Sequence, residues 1–370
     1  MTQFTGAFPA PSWTPPAREP FVPLRPLTLG HVLAGAFRAL RHNPAVTLVP
    51  AIVLCLVAAA GGTAFGLLVI DPLIHDSGSA IDDVTLYRWI SGFAAGAFGW
   101  LVIRALTFTV GTLQQGLSSM DVTHAIVGRR LTPGGLRRRT RGVRGPLVAW
   151  ALVVTAGVLV AGLLAIALFG VLALAGSVWE VIGPLLGYPL AAVFVAWLGT
   201  RLAFVPSVLV VERLELTAAV RRAWRLTRGQ FWRTLGTRML CWTMIWLATM
   251  LVALPVQTII TWFASIVAGN GDAADYLATV RIGEAVGAIV ASVIGAIGLV
   301  VTTSTDALLY VDARIRREGL DLDLARFMET RRPSTRFDPE EPNPFAPPSD
   351  IDPAMVRRDA APETTGSGWG

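Results

Sequence analysis

Residues 43–70, 145–179 and 239–271 contain no Asp, Glu, Lys or Arg. A hydrocarbon core of roughly 30 Å is crossed by about 20 helical residues, so each stretch is long enough to span a bilayer. Water-soluble cores are not assembled from charge-free runs of this length. Composition agrees: the 370 residues are 53% hydrophobic and only 15% charged, with a mean hydropathy of +0.58. A soluble domain of this size needs a larger charged surface. The expected fold class is therefore an all-α integral membrane protein.

Apolar runs bounded by charge predict about six transmembrane helices, over 45–69, 89–113, 147–174, 187–210, 239–265 and 285–310. A turn around Trp179, Glu180, Gly183 and Pro184 separates the third from the fourth. Pro255 predicts a kink in the fifth. Two further segments have helical periodicity without the length to span. Over 28–42, Leu29, Val32, Leu33, Ala36, Phe37 and Leu40 recur on one face, with Thr28 as N-cap. Over 212–238, Leu216, Ala219, Val220, Ala223 and Trp224 do the same. Both predict amphipathic helices lying on the inner membrane surface. Residues 27–325 then form the membrane domain. Residues 1–26, with seven prolines, and 326–370 are too poor in apolar content to repay ordering, and are expected to be disordered.

All 31 basic residues are Arg, as a GC-rich genome produces. Two of them, Arg88 and Arg281, fall in the three expected outer segments (71–88, 176–186 and 269–284). Arg104 and Arg201 lie inside spans, and the other 27 lie in inner segments and tails. That asymmetry places both termini and the Arg-rich loops in the cytoplasm. The pI near 10.3 alone would suggest nucleic acid, but the arginines adjoin membrane segments. Anionic lipid headgroups are the expected partner instead, with Arg38, Arg41, Arg137, Arg138, Arg141, Arg221, Arg225 and Arg228 as the contacts.

Ala36-Phe37-Arg38-Ala39-Leu40-Arg41 precedes the first span, and Ala223-Trp224-Arg225-Leu226-Thr227-Arg228 precedes the fifth. Gly135-Leu136-Arg137 echoes them weakly before the third. Three parallel units of surface helix plus hairpin would give six spans; any basic interfacial helix would also look like this.

The intramembrane charges Arg104, Arg201 and Asp306 are the candidate site, because charge inside a bilayer is costly and is paired or functional where it occurs. Asp306 is expected to neutralise Arg201 or Arg104, either as a packing pair or as a polar site; arginines snorkelling to the headgroups are the alternative. Glycine pairs Gly62/Gly66 and Gly92/Gly96 allow close helix approach. Gln114, Gln115 and Gln257 either line a cavity or bond a neighbouring helix. Cys55 and Cys241 lie in apolar runs and pair with nothing by spacing, and His31, His42, His75 and His124 are scattered. No catalytic constellation, cofactor motif or metal set is present in the spacing, and no cleavable signal peptide is expected.

Three stretches resemble one family. They are Pro26-Leu27-Thr28-Leu29-Gly30 with Ala36-Phe37-Arg38, then Val211-Glu212-Arg213 with Ala223 to Arg228 and Phe231-Trp232-Arg233, and finally Leu309 to Asp321. Across about 24–325 the chain resembles the glycerophosphoryl diester phosphodiesterase membrane domain family of bacterial membrane proteins. In that family's two-part enzymes a catalytic barrel follows, with a His-Arg opening motif and metal-binding carboxylates. The 370 residues leave no room for it, so the resemblance implies the membrane half in a bacterial inner membrane, without phosphodiesterase activity. The expected function is non-enzymatic organisation of lipids or partner proteins at the inner leaflet. The alternative is a transporter or flippase-like protein for a lipid or small amphiphile.

Overall fold

The structure, a computed structural model, describes residues 21–23, 25–65, 83–128, 142–174, 177–270, 273–330 and 344–345. Helices account for nearly all of them: α1 (Leu29–His42), α2 (Pro44–Phe65), α3 (Asp83–Ile126), α4 (Arg144–Leu174), α5 (Ser177–Arg201), α6 (Val205–Val211), α7 (Leu216–Thr227), α8 (Phe231–Asn270), α9 (Ala273–Glu318) and α10 (Leu320–Thr330). Five segments are long and apolar enough to cross a membrane: Thr47–Ala64, Arg144–Ala165, Pro189–Val211, Phe231–Ile266 and Thr279–Glu318. The expected span over 89–113 lies within α3, 44 residues long. α2 packs on α3, α3 on α4, α4 on α5, α5 on α8, α8 on α9, and α9 closes back on α2 and α3.

α3, α8 and α9 contain 44, 40 and 46 residues. At 1.5 Å per residue they are about 60–70 Å long, roughly twice a hydrocarbon core. The bundle is accordingly built in two storeys. In one, large apolar side chains face outward along α2, α4, α5, α8 and the first half of α9, among them Val57, Leu164, Leu190, Leu251 and Ile289. In the other, which we call the basal end, residues of α1, the end of α3, α6, α7, the end of α9 and α10 bury one another as in a water-soluble core.

Several expected boundaries are corrected by this second storey. The basic loop expected from residue 114 begins later, because α3 continues to Ile126 with Gln114, Gln115, Ser118, Ser119, Asp121 and Thr123 buried. The expected turn at 179–184 is the start of α5, and residues 273–284 of the expected outer segment belong to α9. The span expected over 187–210 breaks at 202–204. Beyond the break, Pro206 lies in the first turn of α6, which is buried along its whole length within the candidate span Pro189–Val211. α8 continues through Pro255 as one helix.

The tails are shorter than expected. Phe21 and Val22 are buried; the Phe21 ring lies edge-on to His42, and its carbonyl accepts a 2.7 Å hydrogen bond from Arg38 Nη1. At the other end α10 runs to Thr330, with Leu320 and Leu324 in the core, and Phe345 is also buried. Both additions follow from apolar side chains that basal elements cover.

α1 starts at a capping box. His31 N–H donates to Thr28 Oγ1, while the His31 ring faces the Thr28 backbone. Its small residues Gly35, Ala36 and Ala39 are buried, and a Cβ on Gly35 would come within 2.8 Å of Leu308 in α9. α7 repeats the pattern: Ala223 is buried and Trp224 exposed, as Ala36 is buried and Phe37 exposed in α1. The third suspected unit, at 135–137, lies outside the described residues.

Candidate functional site

The basal end holds a buried ionic quartet. Glu212 closes α6, and the next residue, Arg213, turns the chain at φ 56°, a left-handed conformation costing roughly 1 kcal/mol for a side-chain-bearing residue. The turn brings α7 back so that Arg222 meets Glu212. Arg222 Nε donates to Glu212 Oε2 at 3.0 Å, and Arg222 Nη2 donates to Glu318 Oε2 at 2.7 Å. Arg314 Nε donates to the same Glu318 oxygen at 2.9 Å and Nη1 to the Phe345 carbonyl at 3.0 Å. The Tyr310 hydroxyl donates to Glu212 Oε1 at 2.7 Å. Two guanidiniums thus face two carboxylates, a neutral set with nearly every donor used. Burial by itself would push the Arg222 guanidinium down; Glu212 and Glu318 reverse this and hold it above the usual arginine value. Such a closed set locks α6, α7 and α9 together and leaves no free group for chemistry.

A second cluster surrounds Asp312, one helical face away on α9. Its Oδ1 accepts from the Leu27 backbone N–H at 2.7 Å, Arg316 Nε donates to both its oxygens at 3.0 Å, and Arg233 Nη2 lies 3.3 Å from Oδ2. Both arginines also donate to the Leu27 carbonyl. One carboxylate, with a side chain 1% exposed, therefore serves two guanidiniums whose side chains are 33% and 32% exposed. The cluster carries a net positive charge, and it lines an open crevice of about 440 Å³ together with Leu27, Thr28, Leu29, Trp232, Gly236 and Thr237.

The sequence-derived candidates are distributed differently from expectation. Asp306 pairs with Arg238 of α8, Nε to Oδ1 3.2 Å, and Arg238 Nη1 donates to the Gly199 carbonyl at 2.7 Å. The expected pairing of Asp306 with Arg201 is thereby replaced; Arg238 reaches it because α8 lies against both α9 and α5. Arg201 instead sits 5.2 Å from the ring centroids of both Trp224 and Phe231, a cation–π clamp at the junction of α5 with α7. Arg104 lies on α3, but its side chain is outside the described residues. Of the expected headgroup contacts, Arg38, Arg41, Arg221, Arg225 and Arg228 are exposed at the basal end, with Arg38 also bound to Phe21, while Arg137, Arg138 and Arg141 lie outside the described residues. Gln114 Nε2 and Gln115 Nε2 donate to the Thr47 and Ala203 carbonyls, bonding neighbouring elements.

Sequence reasoning passed over Arg222, Tyr310, Arg314, Glu318, Asp312, Arg316, Arg233 and Arg238. A signal existed for part of the set: Tyr310, Arg314 and Glu318 recur every four residues, as do Asp312 and Arg316 on the neighbouring face. Among the described residues no group of three or more His, Cys, Asp or Glu side chains is placed to hold a metal. No protein-family model, curated protein or solved structure matches the chain.

Proposed function

We propose that the chain is a non-enzymatic, six-span protein of the bacterial inner membrane that organises anionic lipids, and through them partner proteins, at the inner leaflet. In this reading α3 supplies the sixth span, both termini and the basal end are cytoplasmic, and the outward faces of α1 and α7 meet the lipid surface. One observation carries it. The carboxylates Glu212, Asp306, Asp312 and Glu318 are held in ion pairs inside the basal end, and Arg41, Arg221, Arg225 and Arg228 are exposed on its surface, as are Glu215, Asp323 and Glu329. Each arginine near an anionic surface is worth about 1 kcal/mol. Leu29 and Phe37 on α1 and Trp224 on α7 are exposed beside them, as interfacial helices require. The likeness to the phosphodiesterase membrane domain family belongs to the same reading, since its most specific stretch, Leu309 to Asp321, contributes Tyr310, Asp312, Arg314 and Arg316 to the basal clusters.

Transport of a lipid or amphiphile has less support. The hydroxyls of Thr109, Thr155, Ser292 and Thr302 donate to carbonyls of their own helices, so they are already committed.

The test is mass spectrometry of lipids retained on protein extracted with its native bilayer. Anionic lipid should be enriched over the bulk membrane, and replacing Arg41, Arg221, Arg225 and Arg228 together by Gln should sharply reduce the enrichment. A retained population matching the bulk would remove the proposal. Labelling of single cysteines introduced at 128 and 228 should occur only from the cytoplasmic side.

A further inference from the structure

The positive crevice has features that an evenly charged surface does not. Two partly exposed guanidiniums, Arg233 and Arg316, share one carboxylate that is itself withdrawn from solvent. Their spare N–H donors and uncompensated charge suit a phosphate, whose oxygens accept several charge-assisted bonds at once. Trp232, 80% exposed, stands at the rim, and Thr28 and Thr237 complete a polar wall.

What lies along α8 identifies the source of that phosphate. Leu240, Met244, Leu247 and Leu251 follow Gly236 at helical spacing, on the same face, and all are exposed, Leu251 to 77%. From Leu240 to Leu251 this stripe rises about 16 Å, close to half a hydrocarbon core, which is one leaflet. A positive pocket with an apolar track of one leaflet's depth leading away from it matches a phospholipid, head and tail. An aqueous phosphate would use only the pocket. The indole of Trp232 at the junction fits the headgroup level.

We propose that this crevice is a specific site for one anionic phospholipid of the basal leaflet, its phosphate held by Arg233 and Arg316 and its acyl chain lying along Leu240, Met244, Leu247 and Leu251. The inference rests on the lipid-organising reading above and names a single site within it. Because Arg233 and Arg316 also tether Leu27, their removal risks loosening α1, and a second variant is needed. Gly236 supplies it. A Cβ there meets nothing within 4 Å, so Gly236→Leu adds apolar bulk to the crevice while keeping Arg233, Arg316 and Asp312 in the chain.

The full chain in nanodiscs of zwitterionic lipid, with and without phosphatidylglycerol, is read by native mass spectrometry. The wild type should retain one phosphatidylglycerol through delipidation. Gly236→Leu and Arg316→Gln should each lower that single adduct by about tenfold, with the melting temperature of Gly236→Leu unchanged. Inorganic phosphate at millimolar concentration should neither bind nor displace the lipid. Full retention by Gly236→Leu overturns the site, and displacement by inorganic phosphate overturns the lipid as its occupant. If the general enrichment of anionic lipid that depends on Arg41, Arg221, Arg225 and Arg228 persists while Gly236→Leu has no effect, this site fails and the broader reading stands. If both vanish, both fail.

Discussion

Arg238 Nε lies 3.2 Å from Asp306 Oδ1, joining α8 to α9 at the level where the basal core gives way to the outward-facing apolar storey. Asp306 is nearly buried and Arg238 is one-fifth exposed, so the pair is only partly screened by solvent. Its loss should cost about 2 kcal/mol, below the roughly 3–5 kcal/mol of a fully buried pair. Thermal unfolding in detergent should show Asp306→Asn and Arg238→Gln each destabilising, and the double variant losing clearly less than their sum. Strict additivity would mean that the two groups do not act as a pair.

Tyr310 offers a narrower test of the quartet. Its hydroxyl bonds Glu212 at 2.7 Å, and Arg314 Nη1 donates to it at 3.2 Å. Tyr310→Phe keeps the ring, which packs edge-on to Phe204 at 6.3 Å, and deletes only the hydroxyl. Leaving Glu212 Oε1 short of one donor in a buried site should cost about 1–2 kcal/mol. Denaturant or thermal unfolding checks this. A cost near zero would show that water or Arg314 takes over the bond.

The charge-free runs made the membrane class legible because bilayer thickness acts on length and polarity alone. The basal storey was not legible for a related reason. Gln114, Gln115, Ser118, Ser119, Asp121 and Thr123 look like the start of a loop by polarity, yet each is buried in helix α3, with Gln114 and Gln115 bonded across to Thr47 and Ala203. Polarity marks an element's end only where water, rather than another helix, satisfies it. The candidate site divides the same way. The spacing of Tyr310, Arg314 and Glu318 is written along one helix, whereas Glu212 meets Arg222 only through the reversal at Arg213, which local periodicity does not encode.

Asp121 should make stability depend on pH. Its Oδ1 accepts from Asn43 Nδ2 at 3.3 Å, and Oδ2 lies 3.9 Å from His42 Nδ1. Burial raises this carboxyl to about 6, against the opposing effect of the Asn43 bond. Between the ordinary aspartate value of about 4 and this raised value the folded chain binds more protons than the unfolded one, so the contribution of Asp121 to stability falls as pH rises through that window. Asp121→Asn removes the burden of burying the charge. Its stabilisation relative to wild type should be roughly 2 kcal/mol at pH 7.5 and should shrink toward zero near pH 4. Melting temperatures of both proteins across that range decide it; a constant difference between them would refute the assignment.

Glycines beyond the expected pairs also set helix approach. Of the expected pairs, Gly62 faces Ile103, and Gly66 lies outside the described residues. The tighter approaches are Gly162 against Leu101, and Gly283 and Gly298 of α9 against Ile260 and Ile245 of α8. A Cβ on Gly298 would lie 2.5 Å from Ile245 Cγ2, closer than side chains tolerate, so α8 must shift or Ile245 must leave its rotamer. Gly295, one turn earlier on the same helix, has open space around its Cβ position. The two sites carry the same helix-propensity change, which makes their comparison internal. Gly298→Val should therefore destabilise by about 1–3 kcal/mol more than Gly295→Val, through overpacking between α8 and α9. Because Arg238 and Asp306 bridge the same two helices, the Gly298→Val penalty should also couple to Asp306→Asn in a double-mutant cycle, whereas Gly295→Val should add independently. Equal melting temperatures for the two valine variants would contradict close packing of α8 on α9 at this level.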